Sequence, residues 1–104
     1  MCKKIKVVFQ SPGDISKVIT IENDLKPMNE LIGGYLETLT LSNGLVLIMD
    51  EEGRLKGLPD NIRCVQVGTI VGPVFITAAD GDEFVSLTTE QIQTARAWLM
   101  KHSV

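Results

Sequence analysis

Four side chains that can donate hydrogen bonds to an anion are concentrated in one turn-rich segment of this sequence. They are Arg54, Lys56, Asn61 and Arg63. A guanidinium group binds phosphate oxygens with paired donors, and an ammonium group binds them as a point charge. The segment therefore predicts a candidate anion-binding site. The alternative interpretation is that these cations balance neighbouring carboxylates on a solvated loop.

Three consecutive carboxylates, Asp50, Glu51 and Glu52, precede those cations and suggest a metal site or acid–base chemistry. Neighbouring side chains at a strand end point in alternating directions, and no histidine accompanies them. A calcium loop needs oxygen ligands at alternating positions over about twelve residues, with a final glutamate. The run lacks that pattern, so we expect a solvated turn and no metal.

Nucleophilic catalysis has few candidates in this chain. His102 is the only histidine, and its place near the end of the sequence predicts fraying. Cys2 and Cys64 lack metal or redox spacing, so we expect two free thiols in a reducing compartment, with a disulfide between them as the alternative. The pair Gly33–Gly34 lacks the lysine and serine or threonine of a phosphate-binding loop. We therefore expect no enzyme and no cofactor.

Composition limits the classes of partner. Ten cations are outnumbered by thirteen carboxylates, giving a net charge of −3, which disfavours nucleic acid as a ligand. The first apolar run, Val7–Phe9, is too short for a signal peptide or a membrane span. A single cytoplasmic domain over residues 1–104 is expected.

The first half of the chain predicts two hairpins separated by a short helix. Lys4–Gln10 and Val18–Ile21 are β-prone segments on either side of a Ser-Pro-Gly turn. Asn23 or Asp24 then caps a helix that Gly33 ends, with an apolar stripe formed by Leu25, Met28, Leu31 and Ile32.

The second hairpin follows that helix directly. Residues 35–41 alternate with period two, Asn43–Gly44 favours a tight turn, and Leu45–Met49 is continuously apolar. The last segment predicts a strand that is covered on both faces.

The second half predicts further strands and a final helix. Cys64–Thr77 is strand-like with breaks at Gly68 and Gly72–Pro73, and an Asp-Gly turn at 80–81 returns the chain. Thr88 and Gln91 form a capping box before an amphipathic helix that carries Trp98. Trp98 is either a core residue or a dimer anchor. The fold class is α+β: a mostly antiparallel sheet, one short internal helix, and a C-terminal helix packed on the sheet.

Three segments, Gly33–Glu37, Asp50–Asn61 and Ile70–Ile76, resemble a family of short phage and bacterial proteins described as a domain of unknown function. The family's pattern is GGY-x-E, an apolar strand, (D/N)EEGKLKGLPxN and I-x-G-x-V-x-I. The resemblance extends over about residues 28–92. Arg54 stands where lysine is common, and Asp60 stands where a second proline is frequent. The resemblance implies a small cytoplasmic accessory protein carried by a phage or mobile element.

The leading hypothesis from this resemblance is a non-catalytic binding module that sequesters a host component. One version binds a small anionic signal, such as a cyclic nucleotide. The other version binds a host protein through an exposed sheet edge or through the helix that carries Trp98. The candidate ligand-binding residues are Tyr35, Glu37, Arg54, Lys56 and Asn61.

The rival class is a small enzyme that uses Glu37 and the carboxylates of residues 50–52. Exposed sheet edges favour self-association, so a homodimer or a larger ring is expected.

Overall fold

The computed structural model describes residues 3–42 and 44–104 and has an α+β architecture, as the sequence predicts. The elements, in chain order, are β1 (Lys4–Gln10), β2 (Lys17–Glu22), α1 (Leu25–Ile32), β3 (Leu36–Thr40), β4 (Leu45–Asp50), β5 (Asp60–Cys64), β6 (Gly68–Val71), β7 (Val74–Asp80), β8 (Glu83–Val85) and α2 (Thr89–His102). Neither helix of the described residues is long and apolar enough to cross a membrane.

The main sheet is antiparallel and has the strand order β2-β1-β7-β4-β3, with β8 paired to β7. Strand β4 lies between β3 and β7, and all six of its residues are buried. This placement explains its continuous apolar run and confirms the predicted central strand. Strands β5 and β6 form a separate two-stranded sheet.

Each face of the main sheet supports its own apolar cluster. Helix α2 and the β5–β6 sheet contribute to one cluster, which contains Leu47, Ile62, Ile70, Ile76 and Leu99. Helix α1 contributes Met28 and Ile32 to the other cluster, against Val7, Ile48 and Phe75. Leu25, predicted to share the stripe of α1, is instead 61% exposed because it lies at the start of the helix.

The helix boundaries follow the predicted capping residues. Asp24 caps α1, and its carboxylate accepts a hydrogen bond from the Leu25 N–H. Gly33 ends α1 in the left-handed region with φ of 91°, which glycine adopts without strain. Thr88 and Gln91 form the predicted reciprocal capping box at the start of α2.

Strand pairing confirms the predicted β1–β2 and β3–β4 hairpins, and it places the boundaries of β5 elsewhere than predicted. Asn43 of the predicted turn lies outside the described residues, while Gly44 has φ of 75° and the β3–β4 pairing on either side is regular. Strand β5 begins at Asp60, inside the predicted loop, and ends at Cys64, where a strand was expected to start. A bulge in β5 between Asp60 and Ile62 explains why period-two alternation did not reveal it.

The C-terminal segment is anchored, which corrects the expected fraying of His102. The His102 ring stacks on Trp98 with 4.2 Å between centroids, and its Nδ1 lies 2.8 Å from the Trp98 carbonyl oxygen. Beyond α2, Ser103 forms a β-bridge with Ile62, and the Val104 N–H donates to the Asn61 carbonyl. Trp98 is partly buried against the cluster beneath α2. Cys64 is a free, buried thiol, whereas Cys2 lies outside the described residues.

The Asn61 amide joins three separate parts of the chain inside the protein. Its Nδ2 donates to the carbonyl oxygens of Gln10 and Gly72 at 2.9 and 2.7 Å, and its Oδ1 accepts from Gln10 Nε2 at 2.9 Å. Gln10 Nε2 also donates to Ser103 Oγ at 3.0 Å. Buried polar groups are stable only when they are paired, so this network fixes β1, β5 and the C-terminus relative to one another.

Replacing Asn61 with Ala removes one of the two acceptors of Gln10 Nε2 and the donor to the carbonyls of Gln10 and Gly72. We expect Asn61→Ala to lower the free energy of unfolding by about 2–3 kcal/mol, measured by urea denaturation. Gln66→Ala removes an amide from the exposed β5–β6 turn and is the matched control, expected to change stability by less than about 0.5 kcal/mol. Equal stability of the two variants would contradict a structural role for Asn61.

Candidate functional site

The loop between β4 and β5 folds on itself from the end of β4. The Asp50 carboxylate accepts a hydrogen bond from the Glu52 N–H at 2.8 Å, and the Asp50 carbonyl accepts one from the Gly53 N–H at 3.2 Å. The Leu58 N–H then donates to the Gly53 carbonyl at 3.2 Å. These bonds give residues 50–58 a fixed conformation, so the loop is part of the framework.

The buried carboxylate of Asp50 forms an ion pair with a lysine of the same loop. Asp50 Oδ2 lies 2.8 Å from Lys56 Nζ, and the Asp50 side chain is 1% exposed. Lys56 Nζ also donates to the Gly33 carbonyl at 2.9 Å. The prediction of a solvated acidic turn is therefore wrong for Asp50, whereas Glu51 and Glu52 are exposed. An ion pair at this range compensates a carboxylate that has left water.

The glycine pair after α1 makes room for this ion pair. A Cβ atom at Gly34 would lie 2.6 Å from Lys56 Nζ and 3.0 Å from Asp50 Oδ1. The first distance is shorter than side-chain carbons show and the second is tighter than most such contacts, so Gly34 permits the approach. The Gly33–Gly34 and Asp50–Lys56 segments thus form one structural unit, which we call the Asp50 clasp.

Arg54 connects the same loop to strand β6. Its Nη2 donates to the Thr69 carbonyl at 2.6 Å, and Arg63 Nε donates to Thr69 Oγ1 at 3.3 Å. Gly53 lies against Val71, because a Cβ there would be 2.9 Å from Val71 Cγ2. The loop and the β5–β6 sheet are therefore held together.

A cavity of about 330 Å³ separates strand β3 from strand β6, and we call it the β3 groove. Its lining combines carboxylates, hydroxyls, one guanidinium and aliphatic side chains. The lining residues are Glu37, Thr38, Leu39, Met49, Asp50, Glu51, Arg54, Leu55, Val67, Thr69, Ile70 and Val71. At its rim, Leu55 is 85% exposed and Val67 is 44% exposed.

The groove opens beside a strand that ends the main sheet. The Leu41 N–H donates to the Leu45 carbonyl, and the Glu51 N–H donates to the Tyr35 carbonyl. Hydrogen-bonded positions alternate along an antiparallel pair, so the odd-numbered residues of β3 face β4. The even-numbered residues direct both N–H and C=O away from β4, and they are Leu36, Thr38 and Thr40.

Strand β4 supports the same assignment from its other side. The Ala79 N–H donates to the Gly44 carbonyl, and the register pairs Val46 with Thr77 and Ile48 with Phe75. The same alternation therefore directs the backbone groups of Val46 and Ile48 toward β7. Among the described residues, β3 ends the main sheet, so the β3 residues opposite them have no strand on their outer side.

The five residues predicted as a ligand site are not brought together. Glu37 and Arg54 line the β3 groove, and Lys56 reaches it only through its ion pair with Asp50. Tyr35 precedes β3 with a side chain that is 68% exposed. Asn61 is 2% exposed and belongs to the internal network described above.

The charges that face the groove are mixed. Glu37 and Glu51 are exposed carboxylates, Arg54 is the exposed cation among the lining residues, and Lys56 offsets Asp50. No group of three or more His, Cys, Asp or Glu residues in the described part of the chain is arranged to hold a metal ion.

Sequence reasoning missed Thr38, Leu55 and Val67 as groove residues. Thr38 contributes through its backbone position, which a period-two pattern does not distinguish from its neighbours. Leu55 gave a detectable signal, because it is an aliphatic residue in a polar, turn-forming segment, whereas Val67 lies in Cys64–Thr77, which the sequence predicts as strand-like.

The chain matches a family described as "Domain of unknown function (DUF3846)" over residues 5–100 and belongs to that family. This match confirms the expectation of a family described as a domain of unknown function, and it covers more of the chain than the three segments that carried the resemblance. No curated protein matches the chain. No solved structure matches it either.

Removing the Lys56 charge leaves Asp50 buried without its cation. We expect Lys56→Met to lower the free energy of unfolding by about 2 kcal/mol, less than for a fully buried pair because the Lys56 side chain is 37% exposed. Thermal and urea unfolding measure this change. Lys26→Met makes the same substitution at an exposed position of α1 and should change stability by less than about 0.5 kcal/mol. Equal losses in the two variants would show that the clasp does not stabilise the fold.

Proposed function

We propose that this chain is a non-catalytic binding module that captures an extended peptide segment of a partner protein at β3. The segment adds to the main sheet as a further strand beside β3 and places side chains in the β3 groove. The observation that carries the proposal is the outer edge of β3, whose outward backbone groups lie beside the groove.

The backbone of β3 supplies the main binding energy in this proposal. Leu36, Thr38 and Thr40 each direct one donor and one acceptor outward, which is the pattern that an added strand requires. Peptides bound in this way gain affinity from main-chain hydrogen bonds and specificity from pockets for alternate side chains.

The groove defines the chemistry of the partner segment. Leu39, Met49 and Ile70 contribute apolar surface, and Leu55 and Val67 extend it at the rim. An extended segment presents alternate side chains to one face, so aliphatic residues at alternate positions fit this surface.

The exposed carboxylates of the groove add a charge preference. Glu37 and Glu51 face one exposed arginine, Arg54, whose Nη2 already donates to the Thr69 carbonyl. A lysine or arginine in the partner segment complements this excess of negative charge. We therefore propose a basic, aliphatic β-strand as the ligand.

The biological setting that we propose comes from the sequence motifs. Their resemblance to short phage and bacterial proteins supports a phage or mobile-element origin and a host protein as the partner. In this proposal the module acts in the host cytoplasm by sequestering a host component.

A small anionic ligand, such as a cyclic nucleotide, is the second candidate for the same groove. Arg54 lines the cavity and favours this candidate. Two other residues weigh against it, because Lys56 is paired with Asp50 and Asn61 is enclosed in the polar network. The peptide is therefore the ligand that the described contacts support better.

The Thr38 N–H faces outward and takes no part in pairing with β4. Replacing Thr38 with proline removes this N–H without removing a hydrogen bond to β4, so Thr38→Pro tests the proposal. Peptides are first selected from a random linear library on the wild-type protein. We expect Thr38→Pro to bind them at least about tenfold more weakly by fluorescence anisotropy, since it loses one main-chain bond and obstructs the added strand. Thr38→Val keeps the N–H and should retain affinity within about threefold. Circular dichroism checks that both variants are folded.

The outcomes separate the two candidates. Selected peptides that bind Thr38→Pro as tightly as the wild type would overturn the proposal, as would a library that yields no binder. Native mass spectrometry with a cyclic-nucleotide panel tests the alternative directly. A nucleotide adduct that Arg54→Ala abolishes, in the absence of peptide binding, would assign the groove to the anionic ligand.

A further inference from the structure

We propose that two copies of this chain pair through β2, forming a symmetric dimer with one β3 groove at each end of a continuous sheet. Strand β2 ends the main sheet on the side opposite β3. The dimer is inferred from the geometry of β2 alone. Its role in presenting two grooves rests on the proposed function.

The outer edge of β2 carries backbone groups that are ready to pair. The Asn23 N–H donates to the Lys3 carbonyl at one end of the β1–β2 ladder. Hydrogen-bonded positions alternate from that pair, so Val18, Thr20 and Glu22 direct their N–H and C=O groups away from β1. The Glu22 carbonyl already accepts a hydrogen bond from the Asp24 N–H at 2.9 Å, so the edge offers both groups of Val18 and Thr20 and the N–H of Glu22.

Contacts made by β1 support this assignment independently. Lys6 is opposite Thr20 in the register, yet the Lys6 N–H donates to Ser86 Oγ at 2.9 Å. The Lys6 carbonyl accepts from the Leu87 N–H at 3.0 Å. Both backbone groups of Lys6 are therefore used on the side away from β2, so they do not bind Thr20.

The β2 edge is self-complementary in an antiparallel register centred on Thr20. Thr20 then pairs with Thr20 of the second copy, Val18 lies opposite Glu22, and Ile19 lies opposite Ile21. The two isoleucines are half-buried and already pack against the cluster beneath α1. Pairing covers more of their surface, because directly opposite side chains contact each other across an antiparallel pair.

Apolar side chains are exposed at this edge. Val18 is 41% exposed, and Ile15 beside the strand is 81% exposed, so pairing with a second copy removes apolar surface from water. The end charges of β2 form no pair across this interface, because Lys17 and Glu22 direct their side chains to opposite faces of the sheet.

The dimer leaves both grooves accessible. The strand order of each copy places four strand intervals between β2 and β3. The dimer therefore has a path of ten strands, in which nine intervals separate the two β3 strands. With neighbouring strands about 4.8 Å apart, the two β3 edges lie roughly 40 Å from each other. A partner that carries two copies of the recognised segment would then bind with an avidity that neither groove provides alone.

Sedimentation equilibrium of the full chain tests the dimer. We expect a mass of twice 11.4 kDa at micromolar concentration for the wild type and for Thr20→Val. Thr20→Pro removes an outward N–H and should weaken the dimer at least about tenfold without breaking the β1–β2 ladder. A monomeric wild type at these concentrations, or an unchanged dimer for a folded Thr20→Pro, would overturn the proposal.

Two substitutions of opposite charge at Val18 test the register, because Val18 is exposed and lies opposite Glu22 of the second copy. Val18→Asp should weaken the dimer about tenfold, because two symmetric like-charge contacts are created. Val18→Lys should preserve or strengthen it. Equal effects of the two substitutions would overturn this register.

The failure of the dimer and the failure of the peptide site are distinguishable. Thr20→Pro should bind a monovalent selected peptide with wild-type affinity per chain, because β2 and β3 lie at opposite sheet edges. Thr38→Pro should sediment as a dimer. Loss of dimerisation in Thr38→Pro, with Thr20→Pro still dimeric, would move the interface to β3 and refute the β2 assignment.

Discussion

The ion pair between Asp50 and Lys56 is the contact on which the geometry of the candidate site depends. Asp50 ends the most buried strand, and its carboxylate is compensated inside the protein by an ammonium from its own loop. The ammonium also binds the carbonyl of Gly33, so the loop is fixed to the end of α1 as well. Without this compensation, a carboxylate that is 1% exposed would be costly to bury.

Fixing the loop determines what surrounds β3. The loop carries Arg54 and Leu55, and Arg54 binds the backbone of β6. Strand β6 is therefore held over the sheet at a distance that leaves a groove beside β3. In our account, the residues that distinguish the acidic loop act mainly in building this framework, and ligand binding falls to the backbone of β3 and to the aliphatic rim.

Local patterns predicted most of the elements, with β5 as the exception, because most of them depend on neighbouring residues. The period-two alternation of 35–41, the apolar run of β4 and the capping box at Thr88 all specify structure within a few positions. The Asp50–Lys56 pair and the burial of Asn61 could not be predicted in this way. Both depend on packing between distant segments, since Gly34 must admit Lys56 and Gln10 must reach Asn61. In the sequence, a polar residue that forms hydrogen bonds inside the protein cannot be distinguished from one that binds a ligand.

Amide hydrogen exchange of the free protein, resolved by residue with NMR, tests most directly whether the β3 edge is open. Amides bonded to a neighbouring strand exchange only when the structure opens, whereas solvent-facing amides exchange quickly. Our account predicts that Glu37 and Leu39 exchange slowly and that Thr38, between them, exchanges rapidly. Slow exchange at all three residues would show that the outer edge of β3 is already covered, which would contradict the account.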